Sequence, residues 1–196
     1  MGKISNKKLR KKKRKNGCLM YVLLIVFVAV GIFYGVRICK DILFPVNYEE
    51  YVTKYANEYE LDKYLVMAVI KTESDFIPDA HSGKATGLMQ LTDDTGKWVA
   101  DKMGVKYSKD SLKNPEKNIK LGCYYLKYLI NYYQSIDVAL AAYNGGMGNV
   151  DKWLKTKKYS DDGKTLKYIP FKETREYVEK VNKHWNKYKQ MYGKDE

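Results

Sequence analysis

The chain reads as a mostly α protein, with one N-terminal transmembrane helix followed by a single helical domain. Three observations predict this. Cys18 to Val36 is a run of 19 residues without a charge. As a helix it spans roughly 28 Å, close to the ~30 Å hydrocarbon core of a bilayer. From Tyr48 onward, apolar residues recur at three- and four-residue intervals, and strand alternation never becomes clear. Finally, Pro45, Pro78, Gly83, Gly87, Pro115 and Gly145-Gly146 punctuate these segments where helices would stop or start.

The net charge of +13 is unevenly placed: 11 of the 36 Lys and Arg residues precede position 41, with no acid among them. The basic balance therefore describes the N-terminal arm and argues against a nucleic-acid-binding face on the domain. Residues 1–16 are expected to be a disordered basic arm, 17–39 the transmembrane helix, and 40–47 a linker closed off by Pro45. Tyr21 and Tyr34 lie near the ends of the apolar run, where aromatic belts occur. Val36-Arg37-Ile38-Cys39 offers no small-residue cleavage pattern, and neither Cys18 nor Cys39 has a lipoprotein context. The segment is therefore read as an uncleaved anchor. The basic residues concentrated before it, against Arg37 and Lys40 after it, predict a cytoplasmic N-terminus and an external domain.

The domain, residues 48–192, follows as a series of helices. Tyr48–Tyr59 is the first. Asp62 caps the second, which carries Leu65, Val66, Val69 and Ile70 to Glu73. A loop from Ser74 to Gly87 precedes a helix around Thr95–Lys102. Asn114-Pro115 opens the next, with Ile119, Leu121, Cys123, Leu126, Tyr128 and Leu129 as its apolar residues. Ile136–Tyr143 is short and stops at Gly145-Gly146; Val150–Leu154 is a turn or brief helix. Residues 155–168, charged and glycine-containing, are expected to be the most mobile loop. Glu173–Tyr192 closes the chain with Val178, Val181 and Trp185. Cys123 is read as a small core residue, because three cysteines do not form a disulfide framework. His81 and His184 lie far apart without a Cys/His cluster, so no zinc site is expected.

Within this frame Glu73 is unusual. Val66, Val69 and Ile70 precede it by seven, four and three residues and share its helical face. The carboxyl therefore ends an apolar stripe, and desolvation there raises a carboxyl pKa. A glutamate kept protonated near neutrality can serve as a general acid toward a glycosidic bond.

Four blocks occur in order: Glu73-Ser74, Gly87-Leu88-Met89-Gln90, Ala141-Ala142-Tyr143-Asn144-Gly145-Gly146, and Ile169 to Val178. Together they closely resemble the lysozyme-like lytic transglycosylases, the family of the soluble lytic transglycosylase (SLT) domain. The resemblance covers roughly residues 48–190. It implies a lysozyme-like helical fold whose cleft holds peptidoglycan glycan strands. It also implies Glu73 as the single catalytic acid/base, with Ser74, Met89, Gln90, Tyr143, Asn144 and Tyr177 at the substrate. Met89 as core filler, Tyr143 as packing beneath its turn and Tyr177 as a helix-surface residue are the competing assignments. The reaction that the resemblance implies needs one carboxylate and no metal or cofactor, whereas hydrolytic glycosidases normally use two carboxylates. Asp75, Asp79, Asp93 and Asp94 are near enough in sequence to be a second, but none lies in a family motif. A lysozyme-type muramidase and a non-catalytic peptidoglycan-binding scaffold of an envelope or secretion complex are the alternative functions.

Overall fold

The computed structural model describes residues 2–193 and divides into two compact units, one up to Pro45 and one from Val46. The first is a single helix, α1 (Gly2–Leu43). Its Leu23–Leu43 portion, 21 residues of mean hydropathy 2.1, is long and apolar enough to cross a membrane. Ile25, Phe27, Ile32 and Phe33 are all more than half exposed. The basic arm, expected to be disordered, is instead part of this helix. Lys and Arg have good helix propensity, and extending an existing helix avoids the cost of nucleating one.

The second unit holds α2 (Glu49–Glu58), α3 (Lys63–Glu73), α4 (Asp93–Met103), α5 (Pro115–Tyr133), α6 (Ile136–Gly145), α7 (Met147–Leu154) and α8 (Lys172–Tyr192). Asp62, Thr92, Asn114 and Ser135 cap α3, α4, α5 and α6, each accepting a hydrogen bond from a backbone N–H of the first turn. A 3-10 turn at Lys109–Leu112 precedes α5.

The second helix differs from its expected one-sided pattern. Every residue of α3 from Tyr64 to Ile70 is buried, as a helix surrounded by others must be. It packs mainly on α8 and α2. Asp62 joins two of these elements. One carboxylate oxygen accepts from Tyr64 N at 2.7 Å and the other from Trp185 Nε1, also at 2.7 Å. That pairing sets the register of α3 against α8, and so of Glu73 against Tyr177.

Between α3 and α4 the chain folds into a three-stranded antiparallel sheet: β1 (His81–Ser82), β2 (Ala85–Thr86) and β3 (Leu91–Thr92). No strand was expected there, because two-residue strands are too short to show a period. Residues 155–168, expected to be the most mobile loop, are tied down by local hydrogen bonds. Asp162 accepts from the backbone of Lys164 and Thr165, each at 2.8 Å, and Ser160 is buried. Cys123 is fully buried.

Candidate active site

Glu73 is the last residue of α3, so its backbone is held by the core while its side chain leaves the helix at an open end. The chain then turns sharply. Asp75 and Phe76 both have left-handed backbone, with φ of 52° and 63°. Such conformations are strained in non-glycine residues and need surrounding structure to hold them. Burial of the Phe76 ring supplies an anchor. Ser74 closes the turn, its hydroxyl donating to Leu88 O at 2.8 Å.

The sheet and its return loop form the facing wall. Gln90 Nε2 donates to Ala80 O at 2.9 Å and Gly87 O at 2.8 Å, while its Oε1 accepts from Ser82 Oγ at 2.6 Å. Behind it, fully buried Asn118 of α5 accepts from Met89 N and donates to Thr86 O and Leu112 O. Gly87 has φ of 86°, and a Cβ there would meet Leu112 O at 2.1 Å, so only glycine fits.

These walls enclose an open cleft of about 430 Å³, lined on one side by Thr72, Glu73 and Ser74 and on the other by Ser82 and Gln90. Its third side is α8, which contributes Lys180 and His184. Tyr177, Lys180 and His184 fall at i, i+3 and i+7, one face of that helix.

Burial pushes the Glu73 carboxyl up from an ordinary 4.5 to about 7. The Tyr177 hydroxyl and the Lys180 ammonium oppose that shift, and Glu173 adds to it. The Tyr177 hydroxyl is itself buried and makes no hydrogen bond of standard geometry. It still lies close enough to Glu73 to act on that carboxyl, imperfectly aligned with it, and Tyr143 is a second polar neighbour. Burial and the nearby Glu73 charge raise the Tyr177 phenol well above its ordinary value, so it stays a neutral donor.

The other motif residues take different places. Met89 turns its side chain into the core, fully buried and within Cβ-contact distance of Gly122. It faces Tyr143 through its backbone, the Tyr143 hydroxyl donating to Met89 O at 2.8 Å. Asn144 is exposed and accepts from Thr174 Oγ1 at 2.7 Å, joining α6 to α8. Tyr177 lies in the interior, not on the helix surface. Beyond Tyr143, whose ring centroid is 5.3 Å from that of Tyr125, a second hollow of about 220 Å³ is lined by Asp94, Thr95, Trp98, Tyr125 and Met147.

Of the acids near in sequence, Asp75 also lines the cleft, ion-paired to Lys71. Asp93 instead accepts from Tyr107 at 2.7 Å. Among the described residues, no three His, Cys, Asp or Glu side chains gather into a metal-holding group.

Asn118, Lys180 and His184 were not singled out from the sequence. Asn118 left a signal: it shares a helical face with Leu121, Gly122 and Tyr125, a polar residue on an apolar stripe.

Comparison with known proteins agrees with this architecture. The family model of the transglycosylase SLT domain matches residues 50–166, more than half of the chain. The soluble lytic murein transglycosylase of Salmonella typhimurium is 31% identical over 158 residues, covering 78% of this chain and 24% of that protein. The membrane-bound lytic murein transglycosylase C of Edwardsiella ictaluri is 31% identical over 179 residues, covering 74% of this chain and 47% of that protein. An X-ray structure of the lytic transglycosylase Slt of Pseudomonas aeruginosa, an inactive Glu-to-Gln mutant, superposes with a TM-score of 0.69 and 36% identity, covering 79% of this chain and 26% of that one. The chain thus spans between a quarter and a half of the length of these relatives. With its four motif blocks on one helical scaffold of that fold, the chain belongs to the transglycosylase SLT family.

Proposed function

We propose that this chain is a membrane-anchored peptidoglycan lytic transglycosylase that cleaves the MurNAc–GlcNAc β-1,4 bond and leaves a 1,6-anhydroMurNAc end. The observation that carries this reading is Glu73, a partly buried carboxyl at a cleft with its pKa raised to about 7. A carboxyl of that pKa is protonated in a useful fraction at neutral pH and can also return as a base, as one residue acting twice must do. Glu73 protonates the leaving glycosidic oxygen while the N-acetyl group of the muramic acid stabilises the cation developing at C1. Glu73, now ionised, takes the proton of the sugar's own C6 hydroxyl, and that oxygen bonds to C1. Nucleophile and electrophile lie in one sugar, which gives the second step its entropic advantage.

Ser74 and Gln90 stand on facing walls of the cleft that takes the sugar, and Tyr143 and Asn144 of α6 are assigned to the adjoining stretch of the strand. Met89 acts through its backbone, and the Tyr177 hydroxyl beside Glu73 tempers the rise in its pKa. The hollow at Trp98 and Tyr125 extends the groove along which a strand runs. Domain boundaries of 1–16, 17–39, 40–47 and 48–192 belong to the same proposal. The basic arm faces the cytoplasm and the catalytic domain lies outside the membrane. A cysteine-labelling scan of the two ends in intact cells tests that orientation.

The deciding experiment is muropeptide mass spectrometry after residues 46–196 are incubated with purified peptidoglycan. Anhydro ends support the proposal. Reducing muramic acid ends identify a lysozyme-type muramidase, for which Asp75 is the cleft's other acid. If Glu73→Gln keeps sacculus binding but releases no product, a purely non-catalytic scaffold role is eliminated.

A further inference from the structure

We infer that Lys180 determines specificity in this cleft by binding a carboxylate that the substrate carries on its lactyl-linked side chain. This rests on the proposed peptidoglycan reading and adds a requirement to it: the muramic acid must present an anionic group toward the α8 wall.

The argument is an account of the charges around the cleft. Five ionisable residues besides Lys180 line it: Lys71, Glu73, Asp75, His81 and His184. Lys71 and Asp75 pair with each other across one turn. The two imidazoles each engage a hydroxyl, His184 Nδ1 with Thr72 Oγ1 at 3.0 Å and His81 Nδ1 with Thr86 Oγ1 at 3.1 Å. His184 is held neutral by burial and by Lys180, Lys71 and Lys183, which hold its pKa at about 4. Glu173, one turn before Tyr177 on α8, is exposed and is not among the cleft-lining residues. That leaves Glu73, the exposed His81 on the far wall, and Lys180 on the α8 wall. As the working acid, Glu73 is neutral when substrate arrives. Lys180 makes no hydrogen bond or ion pair among the described residues, so when Glu73 is neutral it is a cleft-lining ammonium with no carboxylate paired to it.

An ammonium at a cleft with no carboxylate partner attracts an anionic group and orients it. In a glycan strand built of neutral N-acetylated sugars, negative charge resides on the lactyl group of muramic acid. It is either the lactyl carboxylate itself, where the peptide is absent, or a carboxylate of the attached peptide stem. Both offer the same chemistry to an ammonium, a charge-assisted hydrogen bond. Lys180 also stands on the same helical face as Tyr177, so an anion held there has its sugar within reach of Glu73.

The test uses the full chain in detergent, assayed at about pH 5.5, below the Glu73 limb, so that altered ionisation of the acid does not enter. Wild type, Lys180→Met and Lys180→Arg are compared on three substrates: stem-bearing peptidoglycan, the same material with its carboxyls amidated, and glycan stripped of stems by an amidase. Lys180→Met is expected to lose roughly 10- to 100-fold in kcat/KM, chiefly through KM, on a carboxylate-bearing substrate. It should match wild type on the amidated one, and Lys180→Arg should keep most of the activity. A selective loss on stem-bearing strands locates the carboxylate in the peptide; a selective loss on stripped glycan locates it on the lactyl group. An equal loss on all three substrates, or no loss on any, overturns the inference. Failure of wild type to release anhydro ends from any substrate would instead defeat the underlying reading and is seen separately.

Discussion

Glu73 shows how a residue's chemistry is set by where its helix ends. The folded protein binds its proton more tightly than the unfolded chain, with a pKa of about 7 against an ordinary 4.5. Stability from this group is therefore fully present below about pH 4.5 and is lost as pH rises to about 7. Glu73→Gln removes that loss: urea titrations should show the variant more stable than wild type by about 1–3 kcal/mol at pH 8, and equal to it at pH 4. The same substitution should lower turnover roughly 100- to 10,000-fold, the range assigned to a positioned general acid. Tyr177 gives a second prediction. Its hydroxyl lowers the Glu73 pKa yet makes no well-formed hydrogen bond. Tyr177→Phe should move the alkaline limb of the pH–rate profile, set by ionisation of Glu73, above about 7, with stability changed by less than about 1 kcal/mol.

Among the elements, α5 supports the site from behind. Asn118 satisfies the Met89 N–H and the Thr86 carbonyl of the loop that carries Gly87 to Gln90, and the Leu112 carbonyl of the 3-10 turn before α5. Asn118→Ala strands all three in a buried place, which should cost about 2–4 kcal/mol by denaturant midpoint and reduce activity through loss of the Gln90 wall. Contact between α6 and α8 has a similar dependence on one small residue. A Cβ on Gly145 would meet Thr174 Oγ1 at 2.9 Å, so Gly145→Val should separate the helices and break the Asn144–Thr174 hydrogen bond. The A-Y-N-G-G block thus serves two purposes, a helix stop and a close helix approach.

At the scale of the whole molecule, the chain is two units with different solvents in view. One is a helix whose described apolar residues are exposed. The other buries its own core and is compact from Val46 on. Residues 46–196, expressed alone, should unfold in a single transition followed by circular dichroism, with a melting temperature within a few degrees of the domain in the full chain. His184 contributes to the acid side of its stability. Its folded pKa of about 4 lies below the ordinary 6.5, so its contribution is intact above pH 6.5 and is lost as pH falls toward 4.

Much of this was legible in the order of residues. Helical period located α2 to α8 to within a few positions, and Asp62 and Asn114 marked two starts. Glu73 at the end of an apolar stripe pointed to a perturbed carboxyl, because 3.6-residue spacing is a local property of the chain. What spacing could not contain was the far side of each contact. Met89 and Tyr177 carry similar weight in the motifs, yet one packs inward and the other confronts the acid. That choice depends on α5 and α8 arriving from 30 to 100 residues away. The two-residue strands, the Asn118 clamp and the face that puts Lys180 beside Glu73 arise the same way. Each is a juxtaposition made by packing, with no periodic trace in the sequence from which to read it.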